Sequence, residues 1–136
     1  MDEYEPVIMD IGSGTLKAGL ASDDAPKSNT PMIVGQPKSP GIMVGMEQKD
    51  YYFGNECNDL RDRLKISNPV QNGVVQDFDM LELIMKEQIF NNELRISADE
   101  HKMLLSEPPN NKKENREKLI QMMIETFDVR QVYLGK

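Results

Sequence analysis

The chain has 136 residues, 38% of them hydrophobic and 29% charged, with 16 Lys+Arg against 23 Asp+Glu for a formal net charge of -7. That length suits one domain, or part of a larger one, with room for a true core, hiding roughly 68% of the unfolded chain's surface, and the composition excludes a disordered tail or a membrane span. The acidic balance repels phosphate backbones at long range, which argues against general nucleic-acid binding and against an acidic partner surface.

Asp2, Glu3 and Glu5 stand where a signal peptide needs positive charge, and there is no long apolar run. A location in the cytoplasm or nucleus, without membrane contact, is therefore expected. Cys57 is the only cysteine and His101 the only histidine. No internal disulfide can form, the usual Cys/His metal sites cannot assemble, and a buried or half-buried thiol is expected. The ten methionines outnumber the four tyrosines and four phenylalanines together. Such side chains suit irregular cores and forgiving contact surfaces alike.

In chain order, Val7, Ile8, Met9 and Ile11 around Asp10 predict a mostly buried strand, broken by Gly12-Ser13-Gly14. Thr15 to Leu20 resumes an extended pattern, so the two segments form a hairpin with a glycine-rich turn. Asp23-Asp24-Ala25-Pro26 is a loop, and Met32-Ile33-Val34 is a short third strand stopped by Gly35. From Lys38 to Asp50 the residues become Pro, Gly and Met, predicting a mobile loop with an apolar tip. Tyr51-Tyr52-Phe53 gives another strand, and Glu56 to Arg63 a short solvated helix. Asn72-Gly73 between β-branched residues predicts a tight hairpin turn.

Asp77 can cap a helix in which Phe78, Leu81, Ile84, Met85 and Ile89 share one face, running to about Asn91. Ser97 to Glu100 has the pattern of a capping box, leaving one turn before a buried strand at Met103-Leu104-Leu105. Asn111 with Glu114 offers a second box, for a helix from about Lys112 to Phe127 whose apolar stripe is Ile120, Met123, Ile124 and Phe127. Lys112, Lys113, Arg116 and Lys118, interleaved with Glu114 and Glu117, are a solvated face of that helix. Val132-Tyr133-Leu134 follows as a strand, completing a βαβ unit of a parallel or mixed sheet.

The segment Asp10 to Lys17 holds the groups best suited to chemistry. Glycines let the backbone approach a bulky anion, and amide hydrogens with the Ser13 and Thr15 hydroxyls can donate to phosphate oxygens. Lys17 adds a cation, and Asp10 suits hydrated Mg²⁺, which keeps several waters while touching one or two carboxylates. A plain Gly-Ser-Gly connection beside an acidic residue is the competing reading. Neither GxxxxGK[ST] nor GxGxxG is present.

Over residues 7 to 134 the chain resembles the N-terminal third of the actin family. Asp10-Ile11-Gly12-Ser13-Gly14 with Lys17-Ala18-Gly19 and Asp23-Asp24-Ala25-Pro26 is similar to the first phosphate hairpin. Ile33-Val34-Gly35, Met43-Val44-Gly45-Met46, Asn92-Glu93-Leu94-Arg95, Leu104-Leu105-Ser106-Glu107 and Glu125-Thr126-Phe127 follow in the same order. The resemblance implies an α/β, ribonuclease H-like partial fold, a mixed sheet with flanking helices plus a small protruding subdomain. Residues 1–31 and 70–136 would be an incomplete first subdomain, and 32–69 a second subdomain with a flexible loop at 38–50.

By the same resemblance, Gly12, Ser13, Gly14, Thr15, Leu16 and Lys17 form a partial phosphate site, and Asp10 meets the nucleotide's metal through water. Ile42, Met43, Val44 and Met46 would grip a neighbouring subunit. Two residues depart from the pattern: Ile11 stands where actins usually have asparagine, and Asn72 where conventional actins have a modified histidine. The sequence stops just before the family's water-positioning glutamine, so a truncated, divergent member is expected, with one side of a two-sided cleft. The expected function is a cytoskeletal or structural subunit acting through protein–protein contacts, without hydrolysing ATP independently. Its expected partners are actin, actin-binding proteins or a large cytoskeletal, axonemal or chromatin-associated assembly. No cofactor is required, and Mg-ATP or ADP binds weakly if the other half of the cleft is supplied. The alternative is the N-terminal part of an ATP-binding, filament-forming actin completed by a partner or by further chain.

Overall fold

A computed structural model describes residues 5–38, 49–109 and 111–135. The apolar loop residues Ile42, Met43, Val44 and Met46 lie outside the described residues.

Alternation sets the first strands. Val7, Met9 and Ile11 of β1 (Val7–Ile11) turn inward while Ile8 and Asp10 turn outward, so this strand is half-buried rather than mostly buried. β2 (Thr15–Leu20) returns antiparallel and pairs on its far side with β3 (Ser28–Pro31). The expected strand at Met32 to Val34 falls instead at a break between β3 and β4 (Val34–Pro37). There Met32 and Val34 enter the main core while Ile33 packs on a smaller one.

β4 is the centre of a separate three-stranded sheet with β5 (Tyr52–Phe53) and β6 (Leu64–Ser67). Helix α1 (Asn55–Asp59) and a single turn at Arg61–Arg63 connect β5 to β6. Tyr52, Cys57 and Leu64 form this sheet's own core. β7 (Val70–Gln71) and β8 (Val74–Val75) then make the expected hairpin. Asn72 and Gly73 both take positive φ, 55° and 77°, as a primed two-residue turn requires.

Helix α2 starts at Phe78–Leu83, where the Asp77 carboxylate accepts the Met80 amide at 3.1 Å. It continues in wider π-helical turns over Ile84–Leu94, ending at Arg95 with φ 54°. The buried side chains there recur every five residues, Ile84, Ile89 and Leu94 beside Met85 and Phe90. A 3.6-residue period therefore loses the stripe, which is why the sequence ends the helix too early.

The helix α3 (Lys113–Gln121) widens in the same way at Met122–Thr126. Its inner residues are Leu119, Met122, Met123 and Phe127, while Ile120 and Ile124 stay outside. The expected stripe was right for Met123 and Phe127 and wrong for the two isoleucines, because the Phe127 amide reaches back five residues to the Met122 carbonyl. Neither capping box forms. Ser97 bonds to Asp99 instead of a helix amide, and α3 begins after Lys112 without a side-chain cap.

β9 (Met103–Ser106) and β10 (Val132–Gly135) flank α3 and run parallel, the expected βαβ unit. The main sheet has the order β10-β9-β1-β2-β3, with β1 parallel to β9. Inward residues of these strands share one core with α2 and α3. Phe90 and Phe127 meet edge to face inside it, ring centroids 5.3 Å apart. Among the described residues no helix is long and apolar enough to cross a membrane.

Candidate functional site

β1 and β9 are parallel, so the segments that follow them emerge at the same end of the sheet, the position where open α/β sheets collect ligands. The Gly12–Gly14 turn lies there. Gly12 donates its amide to the Thr15 carbonyl at 3.1 Å and closes the hairpin. A Cβ on Gly12 would stand 3.1 Å from that same carbonyl oxygen, so glycine is what the tight turn admits. A Cβ on Gly14 would meet nothing within 4 Å, and that side of the turn is open to an approaching group.

Ser13 is anchored from two sides. Its hydroxyl accepts the Gly73 amide at 2.8 Å, and its carbonyl accepts the Asn68 side-chain amide at 2.8 Å. The β7–β8 hairpin thus holds the turn, and the Ser13 hydroxyl keeps one proton to donate elsewhere. Thr15 is exposed. Leu16 is completely buried, so only its backbone belongs to the site.

Asp10 and Lys17 are direct cross-strand partners on the outer face of the hairpin, both exposed. Among the described residues the Lys17 ammonium has no hydrogen bond or ion pair, leaving its charge available. Asp10 is oriented by Ser106. The Ser106 oxygen accepts the Ile11 amide at 2.8 Å, which directs its single proton to the Asp10 carboxylate at 2.9 Å. Just beyond, buried Glu107 receives Arg116 at 2.8 Å and Asn111 at 3.2 Å; Arg116 stays on the solvated face of α3 and reaches Glu107 from there.

Sequence spacing brings Asp10, Gly12–Gly14 and Lys17 together. It gives no sign of Ser106, Asn68 or Gly73, which reach the turn only through sheet order and the second hairpin. Open space beside Gly14 and the exposed, unengaged Lys17 ammonium are the kinds of feature a phosphate group would use. Asp10, exposed and bonded by Ser106 on one carboxylate oxygen, presents the single carboxylate contact that a hydrated magnesium would use.

A mixed sheet with two helices packed on it, and a glycine-rich hairpin opening at the carboxyl end of its first strand, defines an α/β protein of the ribonuclease H-like, actin-like class. The family model described as actin matches residues 1–136. The chain belongs to the actin family.

Proposed function

We propose that the chain is an actin-like structural subunit, placed by protein–protein contacts in an actin-containing or other large cytoskeletal, axonemal or chromatin-associated assembly, and that it does not hydrolyse ATP on its own. The observation that supports this is the one-sidedness of the site: among the described residues, the groups suited to phosphate lie on one wall, formed by Gly12–Gly14, Thr15 and Lys17. Charge pairs exposed to water are worth about 1 kcal/mol each, whereas a micromolar nucleotide site needs roughly 8 kcal/mol.

Residues 1–31 with 70–136 act as the family's first subdomain, and 32–69 as its second. Ile42, Met43, Val44 and Met46 are its contacts to a neighbouring subunit. It works in the cytoplasm and cytoskeleton, the axoneme or nucleus being further settings for such assemblies. The free Lys17 ammonium and the space at Gly14 favour one second reading, that Mg-ATP or ADP binds when a partner or further chain supplies an opposing wall. Asp10 would then meet the metal through water, Gly12 to Leu16 would offer amides and hydroxyls to the phosphates, and Lys17 would neutralise their charge.

Co-sedimentation with filamentous actin, in the absence of added nucleotide, tests the proposal. The chain should pellet with filaments in a saturable manner. A chain that remains in the supernatant with filaments and forms no complex with monomeric actin would contradict it.

A further inference from the structure

Ser97-Ala98-Asp99-Glu100 has the pattern of a capping box but caps nothing. No helix amide donates to the Ser97 hydroxyl, which itself donates to the Asp99 carboxylate. Ser97, Asp99 and Glu100 are exposed, and the Ser97 backbone is extended, with φ -97° and ψ 119°. Ala98–Glu100 is a single turn closed by two backbone bonds, the Glu100 amide to the Ser97 carbonyl at 3.1 Å and the His101 amide to Ala98 at 3.2 Å. Ser97 also stands on the rim of a cavity of about 710 Å³ between the widened ends of α2 and α3, floored by the buried rings of Phe90 and Phe127. Two exposed cations, Lys86 and Arg95, line it with the serine. Among the described residues Lys86 has no hydrogen bond or ion pair, and Arg95 engages only its Nε, with the Asn92 carbonyl at 3.3 Å. Glu82, Asp99 and Asp128 are the carboxylates of the same lining.

We propose that Ser97 is a phosphorylation site for an acidophilic serine kinase that uses ATP, and that the phosphate made there turns into the cavity toward Lys86 and Arg95. In the transfer the Ser97 Oγ bonds to the γ-phosphorus as the bond to the β,γ-bridging oxygen breaks. ADP leaves with that electron pair, and the hydroxyl proton passes to the kinase's catalytic carboxylate. Such a kinase reads carboxylates that follow the serine by placing basic groups opposite them. Asp99 and Glu100 supply these two and three residues on. Access costs little, since one side-chain bond and a single turn must open. The product carries about two negative charges near neutral pH. Asp99, the hydroxyl's present partner, then repels it, whereas Lys86 and Arg95 hold spare donors for the phosphate oxygens. An incidental surface serine would share the exposure but not the two cations. The site goes beyond the subunit reading and stands or falls separately from it.

The test incubates the full chain with radiolabelled Mg-ATP and a serine kinase that selects a carboxylate three residues after its target, and maps the product by mass spectrometry. One phosphate per chain should enter at Ser97 and none in Ser97→Ala. Glu100→Lys, at an exposed position, should slow incorporation about tenfold or more with circular dichroism unchanged. Phosphorus NMR of the modified chain then reads the capture. Its phosphoserine should titrate about half a unit below the ordinary value of about 6, because the cations favour the dianion. Lys86→Gln and Arg95→Asn should each move that midpoint back up, as should added salt. Asparagine is suited to position 95 because it tolerates the positive φ of 54° there. Incorporation only at other residues, or a Ser97 rate indifferent to Glu100→Lys, would overturn the kinase site. A phosphoserine with the same midpoint in the native chain and both cation variants would overturn its capture in the cavity.

Discussion

The Ser13 hydroxyl and the Gly73 amide are joined by a hydrogen bond of 2.8 Å across 60 residues of sequence, so the glycine-rich turn of one hairpin is held by the turn of another. Ser13→Ala removes the acceptor and leaves the half-buried Gly73 amide to find water. Urea unfolding should register a loss of about 1 kcal/mol. Hydrogen exchange at Gly73 should accelerate with it, while the core amides of Met9 and Leu105 should change only by the global loss.

Glu93 fastens the edge of the main sheet to the end of α2. Its carboxylate accepts the hydroxyls of buried Ser28 and of buried Thr30, the latter at 2.7 Å, and the Gln88 side-chain amide at 2.9 Å. Glu93→Ala leaves the two buried hydroxyls only each other, 3.4 Å apart, and should cost about 2–3 kcal/mol in urea unfolding. Glu93→Gln keeps one acceptor oxygen and should cost less than the alanine variant.

Cross-strand order explains how much of this was legible beforehand. The β1–β2 hairpin, the Asn72–Gly73 turn and the Asp77 cap are local signals, resolved by a few adjacent residues, and all three form as the sequence predicts. Leu94 was lost because its spacing from Ile89 is five, a π-helical interval that a 3.6-residue template does not match. β6 was missed because a four-residue segment, Leu64–Ser67, carries too few alternations to register. Ser106 and Asn68 reach the candidate site only through long-range topology, to which local pattern is blind.

Gly35 sits where the small sheet admits no side chain. A Cβ there would fall 2.8 Å from Leu64 Cδ1 and 3.2 Å from Cys57 Sγ. Gly35→Ala should destabilise by about 1–3 kcal/mol through overpacking. Shortening the obstructing group in Gly35→Ala/Leu64→Val should recover part of that loss, a non-additivity measurable as a double-mutant cycle.

The Cys57 thiol is pushed above its ordinary value of 9.0 chiefly by burial; the Gly35 backbone draws it down, Glu56 raises it and Arg61 lowers it. The folded state therefore holds this proton more tightly than the unfolded state. Its contribution to stability is complete below pH 9 and is lost as pH rises past the unfolded value toward the folded one. Unfolding midpoints should fall as pH rises above 9 more steeply in the native chain than in Cys57→Ala. At pH 8 iodoacetamide should label the folded thiol much more slowly than the denatured one.

Charge on the apolar loop tests the proposed neighbour contact. Met43→Glu or Val44→Glu should weaken association with filaments about tenfold or more and leave the melting temperature of the isolated chain unchanged. Unaltered co-sedimentation would remove the loop from the interface.

Titration calorimetry of the chain alone with Mg-ATP, followed by a phosphate-release assay on the same sample, tests most directly whether it acts through contacts rather than catalysis. A one-walled site predicts no saturable heat at micromolar nucleotide and no phosphate above the buffer rate. Stoichiometric micromolar binding with steady phosphate release would contradict the account.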